Sequence, residues 1–195
     1  MGWTSSHRSS NQSVKDYLIE EINETGKTAT FKVLDIAIVK RNTAYLAVKR
    51  TSIDTGKSEV FAMVILIRYG RGQFNITTKE MSEDMGPFYH DCPARILDLL
   101  TPTDNAEAVM WRERCRANLV NRESLKKALV TAKEGDVFKF GSPVRFTKGT
   151  FEQMTFHRTE KRRHVFMVGP FVMYASFDQL MSMKRQYGLE VTCND

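Results

Sequence analysis

Apolar and polar residues change their period several times along the chain, and each change marks an element. Val14, Leu18 and Ile22 lie at helical spacing with Tyr17 beside them, while Glu20, Glu21 and Glu24 fall on the opposite side. Ser13 is placed to cap this helix, with Asp16 in its first turn, and Gly26 to stop it. The preceding residues 4–12 are polar and read as loop. The pattern then turns to strands at Thr30–Lys40, Thr43–Arg50, Val60–Tyr69 and Phe74–Thr78. Tight turns at Arg41-Asn42, Asp54-Thr55-Gly56 and Gly70-Arg71-Gly72 separate them. Val60–Tyr69 is almost wholly apolar, as expected of a central strand covered on both faces. Strands this close, without crossover helices, predict a four-stranded antiparallel meander.

Gly86-Pro87 breaks the pattern, and a helical period resumes. Asp91-Cys92-Pro93 reads as a helix start, with an N-cap acceptor followed by proline in the first turn. Ile96, Leu97, Leu99 and Leu100 form its buried stripe, and Pro102 ends it. Asp104 with Glu107 three residues on predicts a second start of capping-box type. Ala108, Trp111 and Cys115 follow on one face. A third helix is expected near Glu123–Ala132, burying Leu125, Ala128 and Leu129.

From Gly135 onward short strands return at Val137–Phe140, Val144–Phe146, Thr155–Arg158, His164–Val168 and Phe171–Tyr174. Ser176 and Gln179 predict another capping box, for a helix to about Tyr187 ended by Gly188. Leu189–Thr192 returns as a strand. The fold class is therefore α+β: an N-terminal helix, a four-stranded meander, a helical middle, and a small β-rich, barrel-like C-terminal domain. The expected division is residues 1–133 and 134–195.

Composition is ordinary for a globular chain of 195 residues, with 42% hydrophobic and 27% charged. The net charge of +6 is uneven. Residues 1–100 carry 13 basic and 12 acidic residues, whereas residues 101–195 carry 16 and 11. A basic second half suits phosphate-bearing or acidic partners. The cysteines Cys92, Cys115 and Cys193 include no close pair, which favours reduced thiols. The longest apolar run, Val60–Ile67, is far shorter than the roughly 18–20 residues a membrane span needs. A cytoplasmic protein without a membrane partner is expected.

Three constellations are candidates for chemistry. Cys92 at a helix start, two residues from His90, has the residue types of a Cys/His nucleophile but lacks an orienting third group. His90, Cys92, Cys115, His157, His164 and Cys193 are the nitrogen and sulfur ligand types of a zinc site, yet only the first two are close in sequence. Glu83, Asp84 and Asp91 are an acidic set near Gly86-Pro87 of the kind that holds Mg²⁺. Helix capping and core packing explain these residues more simply, so no catalytic residue, metal or other cofactor is assigned. Gly70-Arg71-Gly72 lacks the Lys-Ser/Thr of a phosphate loop and reads as a turn.

The densest functional signal lies in the tail. Lys139, Arg145, Lys148, Arg158, Lys161, Arg162 and Arg163 face only Glu152 and Glu160 in the same stretch, with Phe146, Phe151, Phe156 and Tyr174 interleaved or near. Cations that track phosphates, with aromatics that stack bases, are the parts of a nucleic-acid surface. Arg112 and Arg116, one helical turn apart, are placed to extend it.

Met1-Gly2-Trp3-Thr4-Ser5 with His7, Met81-Ser82-Glu83, Gly86-Pro87, Asp91-Cys92-Pro93, Pro102-Thr103, Trp111-Arg112 and Cys115-Arg116 together resemble a family of uncharacterised proteins. Its members are encoded by phages, plasmids and conjugative elements of bacteria. The resemblance covers about residues 1–120 well and the tail more loosely. It implies an accessory or counter-defence role, such as inhibition of a nucleic-acid-guided nuclease or a restriction system, and no assigned reaction. The expected function is a non-enzymatic accessory protein that binds nucleic acid or a nucleoprotein complex. The alternatives are a protein-binding inhibitor of a host defence enzyme (of anti-CRISPR or anti-restriction type) and a cysteine- or metal-dependent enzyme centred on His90 and Cys92.

Overall fold

The computed structural model describes residues 2–9, 11–70 and 75–192. They form a mixed α+β structure with two antiparallel sheets and four α-helices. The chain divides into two compact units, Met1–Leu119 and Val120–Asp195.

In the first unit, helix α1 spans Val14–Ile22 and starts as its sequence dictates, with the Ser13 hydroxyl accepting from the Asp16 amide. It ends at Asn23 rather than at Gly26. Strands β2 (Ala29–Val39), β3 (Thr43–Ser52), β4 (Ser58–Tyr69) and β5 (Asn75–Ser82) follow. The sheet has five strands, not four, in the order β1-β5-β4-β3-β2. The added strand β1 is Thr4–His7, which composition had suggested was loop. It pairs with β5 from Thr4↔Thr78 to His7↔Asn75. Ladder pairing supplies what a polar, exposed stretch lacks in burial. The apolar β4 takes the middle position. The turn expected at Gly70-Arg71-Gly72 and the residue Phe74 lie largely outside the described residues.

Register assigns the two faces of this sheet. One carries Ile36, Leu46, Val48 and Ile65, packed against Tyr17, Leu18 and Ile22 of α1. The other carries Ala37, Tyr45, Ala47, Ala62 and Val64, packed against Ile96, Leu97, Trp111 and Cys115.

The helical middle differs from its expected form in its lengths and in its caps. Helix α2 is a single turn, Ala94–Leu97, with Pro93 at its N-cap and no side-chain cap bond. Asp91 does not cap it, because its carboxylate is engaged elsewhere: one oxygen accepts from Asn118 at 2.8 Å and the other pairs with Lys40 at 3.4 Å. Helix α3 runs unbroken over Ala106–Thr131, where two helices had been expected. No glycine or proline interrupts those 26 residues, so nothing forces a break. Its cap is Asn105, whose side-chain oxygen accepts from the Ala108 amide at 2.9 Å, rather than Asp104.

The second unit is a five-stranded sheet ordered β10-β6-β7-β8-β9. Its strands are β6 (Val137–Phe146), β7 (Gly149–Glu160), β8 (Arg163–Val168), β9 (Phe171–Ser176) and β10 (Glu190–Thr192). Among the described residues β9 and β10 are its edges, and the expected barrel closure is not seen. Phe138, Phe156 and Phe166 centre the core, with Phe138–Phe166 edge-to-face at 5.1 Å and Phe156–Phe166 at 5.6 Å. Leu125 and Leu129 of α3 join this core, as do Leu180 and Met181 of α4 (Phe177–Tyr187). The expected capping box of Ser176 and Gln179 is present, and Gly188 closes α4 in the left-handed conformation. β6 is one strand rather than two. Its register shifts between Lys139 and Val144, around Gly141, where a Cβ would stand 3.3 Å from the Tyr187 carbonyl oxygen. A glycine is what lets the end of α4 approach the strand.

Candidate functional site

The seven basic residues of the tail are all exposed, and the sheet sorts them. Arg158, Lys161, Arg162 and Arg163 gather at the β7–β8 turn. Arg145 and Lys148 belong to the opposite end of the sheet, at the β6–β7 turn. β7 rises about 3.3 Å per residue, so roughly 30 Å separates the two groups. Lys139 lies between them, opposite Gln153.

The β7–β8 end has the features of a contact surface. Glu160↔Arg163 is the last strand pair, leaving a two-residue turn of Lys161 and Arg162. Lys161 sits at φ 53°, a conformation in which glycine or asparagine is the usual residue. A lysine there costs of order 1 kcal/mol in backbone strain. Arg158 is opposite Val165, and Val165 is opposite Tyr174. Cross-strand neighbours share a face, so Arg158 and Tyr174 flank the buried Val165 on one surface. Arg158 donates to a Glu160 carboxylate oxygen at 2.6 Å. Among the described residues, Lys161, Arg162 and Arg163 have no carboxylate within ion-pair distance. A shallow depression is lined by Glu160, Lys161, Arg162, Arg163 and Tyr174.

The interleaved aromatics divide in the same way. Phe156 is core, and Phe146 and Phe151 are half-buried against that core. Tyr174 is 48% exposed on the edge strand β9, beside the cations. Lys148 at the other end stands over the Phe171 ring at 4.6 Å. Lys161 stands among the seven cations of the sequence, but its strained backbone is a feature of the structure. The signal was present in the two-residue Lys161-Arg162 connection between alternating segments, because such short turns demand left-handed residues.

Arg112 does not extend this surface. It is buried, with Nε and Nη2 donating to the two carboxylate oxygens of Glu83 at 2.7 and 2.6 Å and Nη1 to the Thr101 carbonyl at 2.7 Å. Arg116 is exposed on α3.

The Cys/His locus is core. Cys92 and Cys115 are fully buried within one cluster. Burial pushes the Cys115 thiol up to about 12 and the Cys92 thiol higher still. A nucleophilic cysteine needs the opposite shift. The His90 carbonyl accepts from Asn118 at 3.0 Å, while the Trp111 ring N–H donates to the Tyr89 carbonyl at 3.0 Å, so this segment is fastened to α3.

The remaining metal-ligand types are dispersed. His157 pairs with Glu134, and the His164 ring contacts the Thr159 hydroxyl at 3.1 Å. Burial lowers the His164 pKa. Glu83 serves Arg112, Asp84 accepts from the Ser82 hydroxyl, and Asp91 serves Asn118 and Lys40. Among the described residues, no three His, Cys, Asp or Glu side chains gather as a metal site. Cys193 lies outside the described residues. Among those residues, too, no helix is long and apolar enough to cross a membrane.

Residues 102–169, about a third of the chain, match a family described as a domain of unknown function, DUF6927. The match takes in α3 and β6 to β8 and contains all seven basic residues of the tail. It is consistent with an uncharacterised family, and it meets the part of the chain that carries the resemblance, about residues 1–120, only from residue 102 onward. No curated protein and no solved structure matches the chain.

Proposed function

We propose that this is a non-enzymatic binding protein that engages nucleic acid, or the nucleic-acid part of a nucleoprotein, through the β7–β8 end of its second unit. The observation that carries this reading is the placement of exposed Tyr174 beside Lys161, Arg162 and Arg163. Three cations without carboxylate partners supply phosphate contacts, and a tyrosine face supplies stacking, which suits single strands best. The strain accepted at Lys161 keeps a cation at the tip of the turn, and such strain concentrates at functional positions. An accessory role for a mobile element rests on the sequence resemblance alone.

Binding of fluorescent single- and double-stranded DNA and RNA at rising salt tests the reading. Saturable binding at low salt that weakens steeply with salt supports it. Absence of binding at 50 mM salt sinks it, because phosphate contacts are strongest there.

A second reading, a protein-binding inhibitor of a host enzyme, draws support from Phe88. That side chain is 89% exposed, with Met85 and Tyr89 exposed near it in sequence. Exposed large apolar groups in one short segment suit a protein contact. A partner that survives nuclease digestion in a pull-down, and is lost on Phe88→Ser, would favour this reading.

A further inference from the structure

The first unit carries a cleft of about 680 Å³ whose chemistry is opposite to that of the basic turn. Its walls are the end of α1 at Glu21 and Ile22 with Glu24 just beyond it, residues of β2 to β5, and the segment 101–112. Phe31, Phe61 and Met63 are left half-buried there as an apolar floor. The rim is acidic, formed by Glu21, Glu24, Glu80 and Asp84. The two arginines of the lining are already paired, Arg50 with Glu59 at 2.8 Å and Arg112 with Glu83. Among the described residues, the four rim carboxylates have no cation within ion-pair distance.

We infer that this cleft docks a cationic, amphipathic segment of a partner protein, with apolar side chains on Phe31, Phe61 and Met63 and Lys or Arg side chains against Glu21, Glu24 and Glu80. The occupant follows from complementarity. An apolar floor needs an apolar ligand face, and unpaired carboxylates around it need positive charge beside that face. Nucleic acid is excluded by charge, since phosphates would meet four carboxylates. Burial, and then the charges of Glu21 and Glu24, raise the proton affinity of Glu80, so an arriving cation relieves a repulsion already present. The inference is independent of the nucleic-acid reading, which uses other residues in the other unit.

The test titrates the intact protein with a ten-residue peptide of alternating Lys and Leu at 50 mM salt, read by amide chemical shifts. The probes for comparison are the Lys/Gly and Glu/Leu peptides and spermine. The expected result is saturable binding of the Lys/Leu peptide. Its shifts should concentrate on residues 21–24, 31, 59–63 and 80–84, and affinity should fall at least five-fold in a Glu24→Gln/Glu80→Gln variant. Glu24→Gln alone, at an exposed position, should give part of that loss, so the result does not depend on how the double variant folds. Absent binding, shifts centred elsewhere, or an unchanged affinity in the variants would overturn the inference. Equal binding of Lys/Gly peptide or spermine would do so too, by reducing the site to bare charge attraction. So would equal binding of the Glu/Leu peptide. The same titration on a variant lacking the basic turn should be unchanged, which keeps the two sites distinguishable.

Discussion

Arg112 grips both carboxylate oxygens of Glu83 inside the first unit, and neither side chain reaches much solvent. The Ala62 amide of β4 donates to the same carboxylate at 3.1 Å, so the pair ties α3, β4 and the turn after β5 together. Its value lies in completeness, because each polar atom left over by the ion pair finds a backbone partner. Arg112→Met leaves a buried carboxylate without its cation. Loss of one partner of a buried pair costs about 3–5 kcal/mol. Thermal unfolding should therefore fall by roughly 10 °C for a chain of this size. The double variant Arg112→Met/Glu83→Leu should recover much of that loss. A single variant as stable as the parent would show that the pair is not the tie described.

Buried thiols give a chemical prediction. Burial holds Cys115 near 12 and Cys92 higher, so both stay protonated and shielded at neutral pH. In a Cys193→Ser background, the folded protein at pH 7.5 should react with a thiol reagent at least a hundred times more slowly than the protein in 6 M guanidinium. Prompt labelling of the folded form would reopen the cysteine-enzyme reading, and mass spectrometry of the labelled peptide would name the residue.

Glu80 gives a prediction with a sign. Its folded-state pKa is raised above 4.5, first by burial and then by Glu21 and Glu24. The folded state thus holds that proton more tightly than the unfolded chain does. Glu80 costs nothing while both states are protonated, and its ionisation penalises the fold as pH rises through the folded pKa. Glu80→Gln should accordingly be more stable than the parent at pH 7, by less than about 1 kcal/mol for a half-buried group. That gain should vanish near pH 4. Chemical denaturation of both proteins at the two pH values measures it, and a gain that grows on acidification contradicts the assigned cause.

The tip of the β7–β8 turn separates charge from conformation. Lys161 adopts a left-handed backbone that glycine adopts freely. Lys161→Gly should raise stability by about 0.5–1 kcal/mol while weakening nucleic-acid binding, whereas Lys161→Ala weakens binding with no such gain. Parallel melting curves and binding isotherms decide this, and equal stability of the two variants would remove the strain argument.

Local signals read well from the chain, and contests between partners did not. Ser13 and the Ser176/Gln179 pair were legible as caps because each bonds within its own first turn. Trp111 and Cys115 were legible as core because spacing alone puts them on one face. Asp91 was misread as a cap, since Asn118 and Lys40, far away in sequence, claim its carboxylate. Arg112 looked like surface charge for the same reason, its partner Glu83 lying 29 residues earlier. β1 was invisible because its polar residues are ordered by pairing with β5 rather than by burial. In the candidate site the cluster of cations was readable. Its division between two ends of the sheet was not, because register decides that.

The central claim, that Lys161, Arg162 and Arg163 form a phosphate-binding surface with Tyr174, is tested most directly by the salt slope. The logarithm of the binding constant for a short single-stranded oligonucleotide is plotted against the logarithm of salt, for the parent and for Lys161→Ala/Arg162→Ala/Arg163→Ala. Each phosphate contact adds about 0.7 to the slope for a single strand. The account predicts a slope lower by about 2 in the triple variant, with thermal stability retained. An unchanged slope and affinity in a folded triple variant would contradict it.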